Sequence, residues 1–204
     1  MGSLGRRELY LRVMASDILK PLSLRDCPER VLTEGLALLN SSRIPNKFWD
    51  LAWRSFHGRL YVRANLIYLN LGDRGCPRRE CGGTSETMDH FLVQCPFNME
   101  VLTGVGGAIG YPRLPALTYA ERVYGDFGVR RGFELSSLYL VSVVVLYYTW
   151  HARCLVSTRD KILSVHEVVG DIFRELVKVR DLERSRVGPE RCAHLWRGFL
   201  FQPP

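Results

Sequence analysis

Apolar positions recur at helical spacing along most of the chain, and this pattern predicts a mainly α-helical protein. Residues 46–57 show it most clearly, because Phe48, Leu51, Ala52 and Phe56 fall at i, i+3, i+4 and i+8, on one face of a helix. The same reasoning predicts helices over residues 5–19, 27–39, 59–70, 86–94, 134–155 and 160–184, and one short helix in the tail.

One stretch is apolar on every side. Residues 135–150 lie between Glu134 and His151 and carry no charge. A helix of that length spans about 24 Å, which is short of the roughly 30 Å hydrocarbon core of a bilayer. The stretch also contains three serines and a threonine. It is therefore interpreted as a buried core helix and no membrane partner is expected, with a membrane span as the weaker alternative.

The next helix carries a narrow apolar seam, hereafter the 162–179 seam, whose members are spaced by 3, 4, 3, 4 and 3 residues. They are Ile162, Val165, Val169, Ile172, Leu176 and Val179. The spacing predicts that this helix packs on the preceding one, which gives a C-terminal helical hairpin. Self-association, or docking of a protein partner on the seam, is the alternative.

Turn-forming residues suggest how the chain divides. Residues 103–116 hold four glycines and two prolines, a composition typical of a linker. The predicted organisation is N-terminal helices over 1–40, a small helical domain with a metal site over 41–102, a linker over 103–133 and a C-terminal helical region over 134–204.

Charge favours a polyanionic partner. The 204 residues include 28 Lys and Arg against 21 Asp and Glu, a net charge of +7. Between Ser41 and Cys81 there are eight cations and three anions, and seven of the eight cations are Arg. The N-terminus lacks the apolar core of a secretory signal, so an intracellular location is expected, nucleus or cytoplasm rather than secreted. In such a reducing compartment cysteines are more often metal ligands or free thiols than disulfides.

Three cysteines and a histidine crowd into one short stretch, with the spacing C-x4-C-x8-H-x4-C. They are Cys76, Cys81, His90 and Cys95. Zinc takes four such ligands in a tetrahedron. Gly82-Gly83 permits a sharp turn behind the second ligand, and Pro96 forces Cys95 out of helical geometry, so that it can turn towards the metal. The pattern predicts one structural Zn²⁺ in a closed site, with no coordination position left for chemistry.

Two alternatives to this ligand set stay open. The chain has six cysteines, an even number, so a set of disulfides or a coincidental grouping of buried thiols is the competing interpretation. His57 competes with His90 as the fourth ligand, although it lies 19 residues before Cys76.

Two quoted segments resemble a known family. "FWDLAWRSFHGRLYVRANLIYLN" and "GCPRRECGGTSETMDHFLVQCPF" are similar to the zinc-binding region that follows the reverse transcriptase of LINE-type non-LTR retrotransposons. The matching features are Trp53-Arg54, Gly58, Leu60, Cys76, Cys81, Glu86-Thr87, His90 and Cys95-Pro96. "YLVSVVVLYYTWHARCLVS" resembles, less specifically, the far C-terminus of Tx1-like elements. The whole chain thus resembles the end of such an element's second open reading frame protein.

The resemblance implies a nucleic-acid-binding module, and the family's RNA template favours RNA over DNA. No Asp-Asp pair of a polymerase occurs in the sequence, so no enzymatic activity is expected. Arginines neutralise phosphates and aromatic rings stack on unpaired bases. The predicted contact residues are Arg54, Arg59, Arg63, Arg74, Arg78, Arg79 and Trp53. A zinc-stabilised protein-interaction module without nucleic-acid binding is the alternative function.

Overall fold

A computed structural model describes residues 27–66, 74–128 and 134–204. These residues form seven α-helices: α1 Glu29–Leu39, α2 Asn46–Phe56, α3 Pro96–Ala108, α4 Tyr119–Tyr124, α5 Leu135–Arg159, α6 Val165–Val187 and α7 Pro189–Leu195. Short 3₁₀ turns lie at Arg63–Asn65, Arg79–Cys81 and Leu114–Ala116, and His90–Gln94 is a π-helical turn. Within the described ranges there is no strand, only an isolated bridge between Gly75 and Ser85. The mainly α fold is confirmed.

The helix predicted over 59–70 is wrong for its first part. Gly58 adopts a φ of +65° after α2, and the chain then runs extended to Val62. The backbone N–H groups that a helix would have used are taken by another segment, because Arg63 donates to the Glu86 carboxylate and Ala64 to the Glu86 carbonyl. The helix predicted over 5–19 lies outside the described residues.

The glycine-rich segment predicted as a linker begins as a buried helix. Residues 103–108 belong to α3, which packs along α6. A Cβ on Gly104 would lie 2.8 Å from a methyl carbon of Val169, so the glycine allows the two helices to approach closely. Glycine therefore allows close packing of α3 on α6 here and does not mark a flexible linker. The segment 119–124 is also helical, as α4, and its Thr118 and Glu121 form a capping box.

Helix α5 is the central element of the core. Every residue from Ser137 to Leu146 is buried. By length and composition it is the one helix of the described part of the chain that could cross a membrane, with 56% of its most apolar window buried inside the fold. It packs against α2, α3, α4 and α6. A helix with neighbours on every side needs no polar face, which explains its uniform hydrophobicity.

Helices α5 and α6 pack as the predicted C-terminal pair. Asp160 ends α5 with a φ of +50°, and Ser164 begins α6 through a capping box with Glu167. The later members of the 162–179 seam, from Val169 to Val179, are buried inside the chain, whereas Ile162 precedes the helix and is 59% exposed. One continuous cluster of buried side chains includes members of all seven helices.

Candidate metal centre

A short paired loop holds the first two cysteines. The backbones of 74–76 and 84–86 lie antiparallel, with Cys76 N–H donating to the Thr84 carbonyl at 2.7 Å. Between them the chain makes the 3₁₀ turn Arg79–Cys81 and reverses at Gly82 and Gly83, whose φ angles are +56° and +80°. The sharp turn predicted at these glycines is confirmed, and it directs Cys76 and Cys81 to the same side.

The other two candidate ligands come from one helical turn. His90 N–H donates to Thr87 Oγ1 at 3.0 Å, which starts the turn. The turn is π-helical, and Cys95 N–H donates to the His90 carbonyl at 2.7 Å. Such an i+5 bond brings His90 and Cys95 closer around the axis than an α-helix would. Cys95 then takes an extended conformation, φ −65° and ψ 119°, before Pro96 begins α3. The departure from helical geometry expected before this proline is observed.

The four side chains converge. Cys76, Cys81, His90 and Cys95 are all buried, and one potential ligand atom from each lies within 4.8 Å of the others. Cys81 Sγ and Cys95 Sγ are 3.7 Å apart. Two thiolates bound at 2.3 Å to one tetrahedral ion would be about 3.8 Å apart, so the spacing suits a metal. Nε2 of His90 is buried without a hydrogen-bond partner. A metal ion at the centre of the group would satisfy that nitrogen, and the buried Cys3His cluster could hold one.

The electrostatics of the sulfurs also suit a cation. A hydrogen bond from the Cys76 thiol, with a further one from the Asn98 backbone N–H, lowers the pKa of Cys95 to about 5. The same thiol–thiolate bond, together with burial, raises the pKa of Cys76. Burial is the main cause that raises the pKa of Cys81 to about 11. These shifts favour the thiolate form at Cys95, and a divalent ion would displace the remaining thiol protons.

The geometry bears on the disulfide alternative and on His57 as the fourth ligand. All six cysteines are free thiols, so no disulfide is formed. His57 is buried elsewhere, beside Trp53 with ring centroids 4.3 Å apart, and it is not part of the cluster. Burial, with a smaller effect of Arg59, lowers the pKa of His57 to about 4, so this side chain is neutral near pH 7.

Arg78 belongs to the centre rather than to the surface. It was predicted as a nucleic-acid contact, but only 4% of it is exposed. Its guanidinium lies over the Phe97 ring, 3.2 Å from the centroid, and interacts electrostatically with the three cysteines of the cluster. Burial lowers the pKa of Arg78, and its Nη2 is buried without a hydrogen-bond partner. The positive charge of Arg78 in this position partly neutralises the negative charge of the thiolates.

A buried ion pair joins helix α5 to the paired loop of residues 74–86, hereafter the metal loop. The carboxylate of Glu86 is fully buried and accepts two hydrogen bonds from the Arg153 guanidinium, 2.7 Å from Nε to Oε1. It also accepts the Arg63 backbone N–H at 2.8 Å. In the sequence Glu86 stands out only as a feature of the family resemblance, and Arg153 does not stand out. The available signal was that Arg153 is the one formal charge between Glu134 and Arg159.

The remaining predicted nucleic-acid residues divide by exposure. Arg59, Arg74 and Arg79 are exposed. Arg63 is half-buried and donates to the Gly75 carbonyl at 3.0 Å, next to the first cysteine ligand. Arg74 and Arg79 therefore reach solvent on either side of Cys76 in the sequence, Arg59 does so just after α2, and Arg63 ties the extended segment to the loop.

A surface groove lies where α2 meets the extended segment. It has a volume of about 390 Å³ and is lined by Trp53, Arg54, Gly58, Arg59, Leu60, Tyr61, Ala64 and Asn65. Arg54 is held by Asp50 at 2.8 Å and by the Tyr61 hydroxyl at 2.6 Å. Tyr61 is 51% exposed. The groove thus combines predicted cations with an open aromatic ring.

The ring of Trp53 is partly exposed. It lies between Trp49, with centroids 6.3 Å apart, and His57 on one side of α2. Trp49 is 37% exposed and Tyr61 more so. These two rings are the better stacking surfaces. Trp49 was missed because the helical pattern gives no sign of which off-face aromatic reaches solvent.

Comparison with known proteins yields no relative. Neither family models, nor curated proteins, nor solved structures match the chain.

Proposed function

We propose that the chain is a non-catalytic nucleic-acid-binding module whose binding surface is stapled by one structural zinc ion. The donor set of three sulfurs and one imidazole nitrogen is the set that zinc selects. Cys76, Cys81, His90 and Cys95 would hold the ion, and four protein ligands leave no open position for a reacting water. The ion would supply folding energy rather than Lewis-acid chemistry.

The groove between α2 and the extended segment carries the proposal for nucleic acid. It places Arg54 and Arg59 beside the exposed ring of Tyr61. Cations that neutralise phosphates next to rings that stack on bases are the combination used for single strands. Arg63 links this segment to Gly75, so the metal would fix the groove as well as the loop. Single-stranded RNA is the proposed ligand, in keeping with the resemblance to LINE-type reverse transcriptase C-termini.

The protein-interaction alternative has less support. Its surface was to be the 162–179 seam, but Val169, Ile172, Leu176 and Val179 are buried within this chain. A partner helix would have to displace α3 or α5 to reach them. The chain's own packing accounts for these four members of the seam.

Changing Arg78 should weaken zinc binding without touching the groove. We expect Arg78→Met to lower zinc affinity by about 10- to 100-fold, the usual cost of losing a supporting group around a metal site. The reason is that Arg78 opposes the thiolate charge from a buried position. Competition with a chromophoric chelator measures the affinity. Arg79→Met is the matched control, because Arg79 is the exposed neighbour and should keep the affinity of the wild type. If Arg78→Met and Arg79→Met bind zinc with the same affinity, Arg78 does not support the metal site.

Two kinds of groove variant should have separable effects on RNA binding. In fluorescence anisotropy with a 20-nucleotide single-stranded RNA, we expect Tyr61→Ala to cost about 1–3 kcal/mol at every salt concentration, because it removes a stacking ring. Arg59→Gln should instead reduce the slope of log K against log salt by about 0.7, because one phosphate contact is lost.

One control uses the same position as a tested variant, and the other lies on a different helix. Tyr61→Phe keeps the ring and should bind within about twofold of the wild type, and Arg30→Gln removes an exposed cation that pairs with Glu34 on α1. DNA of the same sequence tests the preference for RNA. If wild-type binding is no more salt-dependent than that of a neutral protein of similar size, the proposed function is wrong.

A further inference from the structure

Ion pairs between distant parts of the sequence change the net charge that the C-terminal helices expose. Two of the eight cations counted between Ser41 and Cys81 form ion pairs with acids on α6. Arg43 donates to both carboxylate oxygens of Glu183, from Nε at 2.6 Å and from Nη2 at 2.9 Å, and Lys47 binds Glu175 at 2.6 Å. Both acidic side chains are nearly buried, 9% and 10% exposed. The two acids therefore contribute little to the surface of the helices that carry them.

The C-terminal helices become strongly basic as a result. Residues 174–197 contain seven cations and four anions, a net charge of only +3 in the sequence. Once Glu175 and Glu183 are neutralised by Lys47 and Arg43, the range 174–197 keeps seven cations and two anions, Asp181 and Glu190, a net charge of +5, and Asp171 just before the range pairs with Arg174. The sequence alone hides this surface, because the partners that neutralise the acids lie about 130 residues away in the chain.

Six of these cations are exposed; Arg174 pairs with Asp171, and the other five have no ion-pair partner among the described residues. These five define the C-terminal basic surface: Lys178, Arg184, Arg186, Arg191 and Arg197. Helix α7 packs on the end of α6 after the turn at Gly188, with the Cys192 thiol donating to the Arg180 carbonyl at 3.5 Å. Trp196 donates to Glu183 at 2.6 Å. The two helices therefore present their cations from one packed unit.

We infer that the C-terminal basic surface is a second nucleic-acid contact, which binds the phosphate backbone of the same RNA strand. This inference rests on the proposed function. Four of its five cations are Arg, whose planar fork suits phosphate oxygens better than a Lys ammonium does. Contacts to the phosphate backbone contribute affinity and salt dependence rather than sequence preference.

The test compares two triple variants, each of which removes three exposed cations. The triple variant Arg184→Gln/Arg186→Gln/Arg191→Gln removes three surface cations, and Arg113→Gln/Arg159→Gln/Lys161→Gln removes three exposed cations elsewhere, two of them at the opposite end of α6. With a 30-nucleotide single-stranded RNA, the first variant should reduce the salt slope by about 2 and lower affinity roughly 100-fold at 0.1 M salt, from about 0.7 per phosphate contact. The control variant should bind like the wild type.

Each result decides one question. Suppose that the wild type binds RNA and that Tyr61→Ala weakens this binding, whereas Arg184→Gln/Arg186→Gln/Arg191→Gln does not. The proposed function then stands and the second contact is wrong. Equal losses in both triple variants would also overturn it, because only net charge would then matter. A wild type without RNA affinity overturns the proposed function and the inference together. If the triple variant loses affinity only for vesicles of phosphatidylserine and phosphatidylcholine, the surface binds a membrane and not RNA.

Discussion

Purified protein should contain one equivalent of zinc, and Cys81→Ser should contain none. Cys81 is 8% exposed and its sulfur lies 3.7 Å from that of Cys95, so a hydroxyl in its place breaks the tetrahedral set. Zinc binding at sites of this kind is worth on the order of 10 kcal/mol. That is as large as the whole net stability of a typical domain, about 5–15 kcal/mol. We therefore expect Cys81→Ser, or chelation of the wild type, to unfold the segment that holds the ligands.

Metal analysis by mass spectrometry and thermal unfolding with and without a chelator measure this effect. Cys27→Ser is the matched control, because Cys27 is a half-buried thiol outside the cluster and should retain both the metal and the melting temperature. A wild type that binds no zinc, or a Cys81→Ser variant that keeps a full equivalent, would contradict the proposed centre. A chelator that leaves the melting temperature unchanged would show that the cluster is not a staple.

The ligands could be predicted from sequence because their spacing and flanks are local signals. Gly82 and Gly83 permit a reversal that few other residues allow, and Pro96 constrains Cys95 directly. Neither signal depends on distant parts of the chain. The same holds for α2, whose buried face of Phe48, Ala52 and Phe56 follows the helical period.

The geometry that joins His90 to Cys95 could not be predicted in the same way. An α-helix places residues five apart on different faces, and the proline was the only visible remedy. The structure adds the π-helical turn, which is stabilised by the i+5 bond and by Asn98 donating to the Phe91 carbonyl at 2.5 Å. A single extra residue in a helical turn leaves no mark in the pattern of apolar positions.

Long-range pairing explains the other differences. Arg78 was taken as a surface cation because charged residues between loop ligands are normally exposed, yet it packs on Phe97, nineteen residues further on. Arg43 and Lys47 were counted with the basic span that precedes the cysteines, yet they neutralise acids on α6. A local charge count is therefore a poor guide to surface charge wherever the fold joins distant segments, and Glu86 with Arg153 is the most buried example.

Breaking the Glu86–Arg153 pair should destabilise the protein by about 3–5 kcal/mol, the usual cost of leaving one buried charge without its partner. In Glu86→Gln the amide still accepts a hydrogen bond from the Arg63 backbone, but Arg153 keeps its charge with only 10% of its side chain exposed. The reverse change, Arg153→Met, leaves a carboxylate that is fully buried. Urea unfolding, followed by tryptophan fluorescence at saturating zinc, gives the free energies. Asp89→Asn is the matched control, an exposed acid in the same segment that should shift stability by about 0.5 kcal/mol or less.

The double variant Glu86→Gln/Arg153→Met separates the pair from its parts. Because it removes both charges together, it should recover most of the loss of either single variant, since an ion pair replaced by neutral groups is often close to neutral in stability. Zinc affinity gives the second readout. The pair ties the chain four residues before His90 to α5, so the single variants should also bind zinc more weakly, and the double variant less so. Additive losses in the double variant would mean that the two residues act independently, and the link between the metal loop and the core would then be wrong.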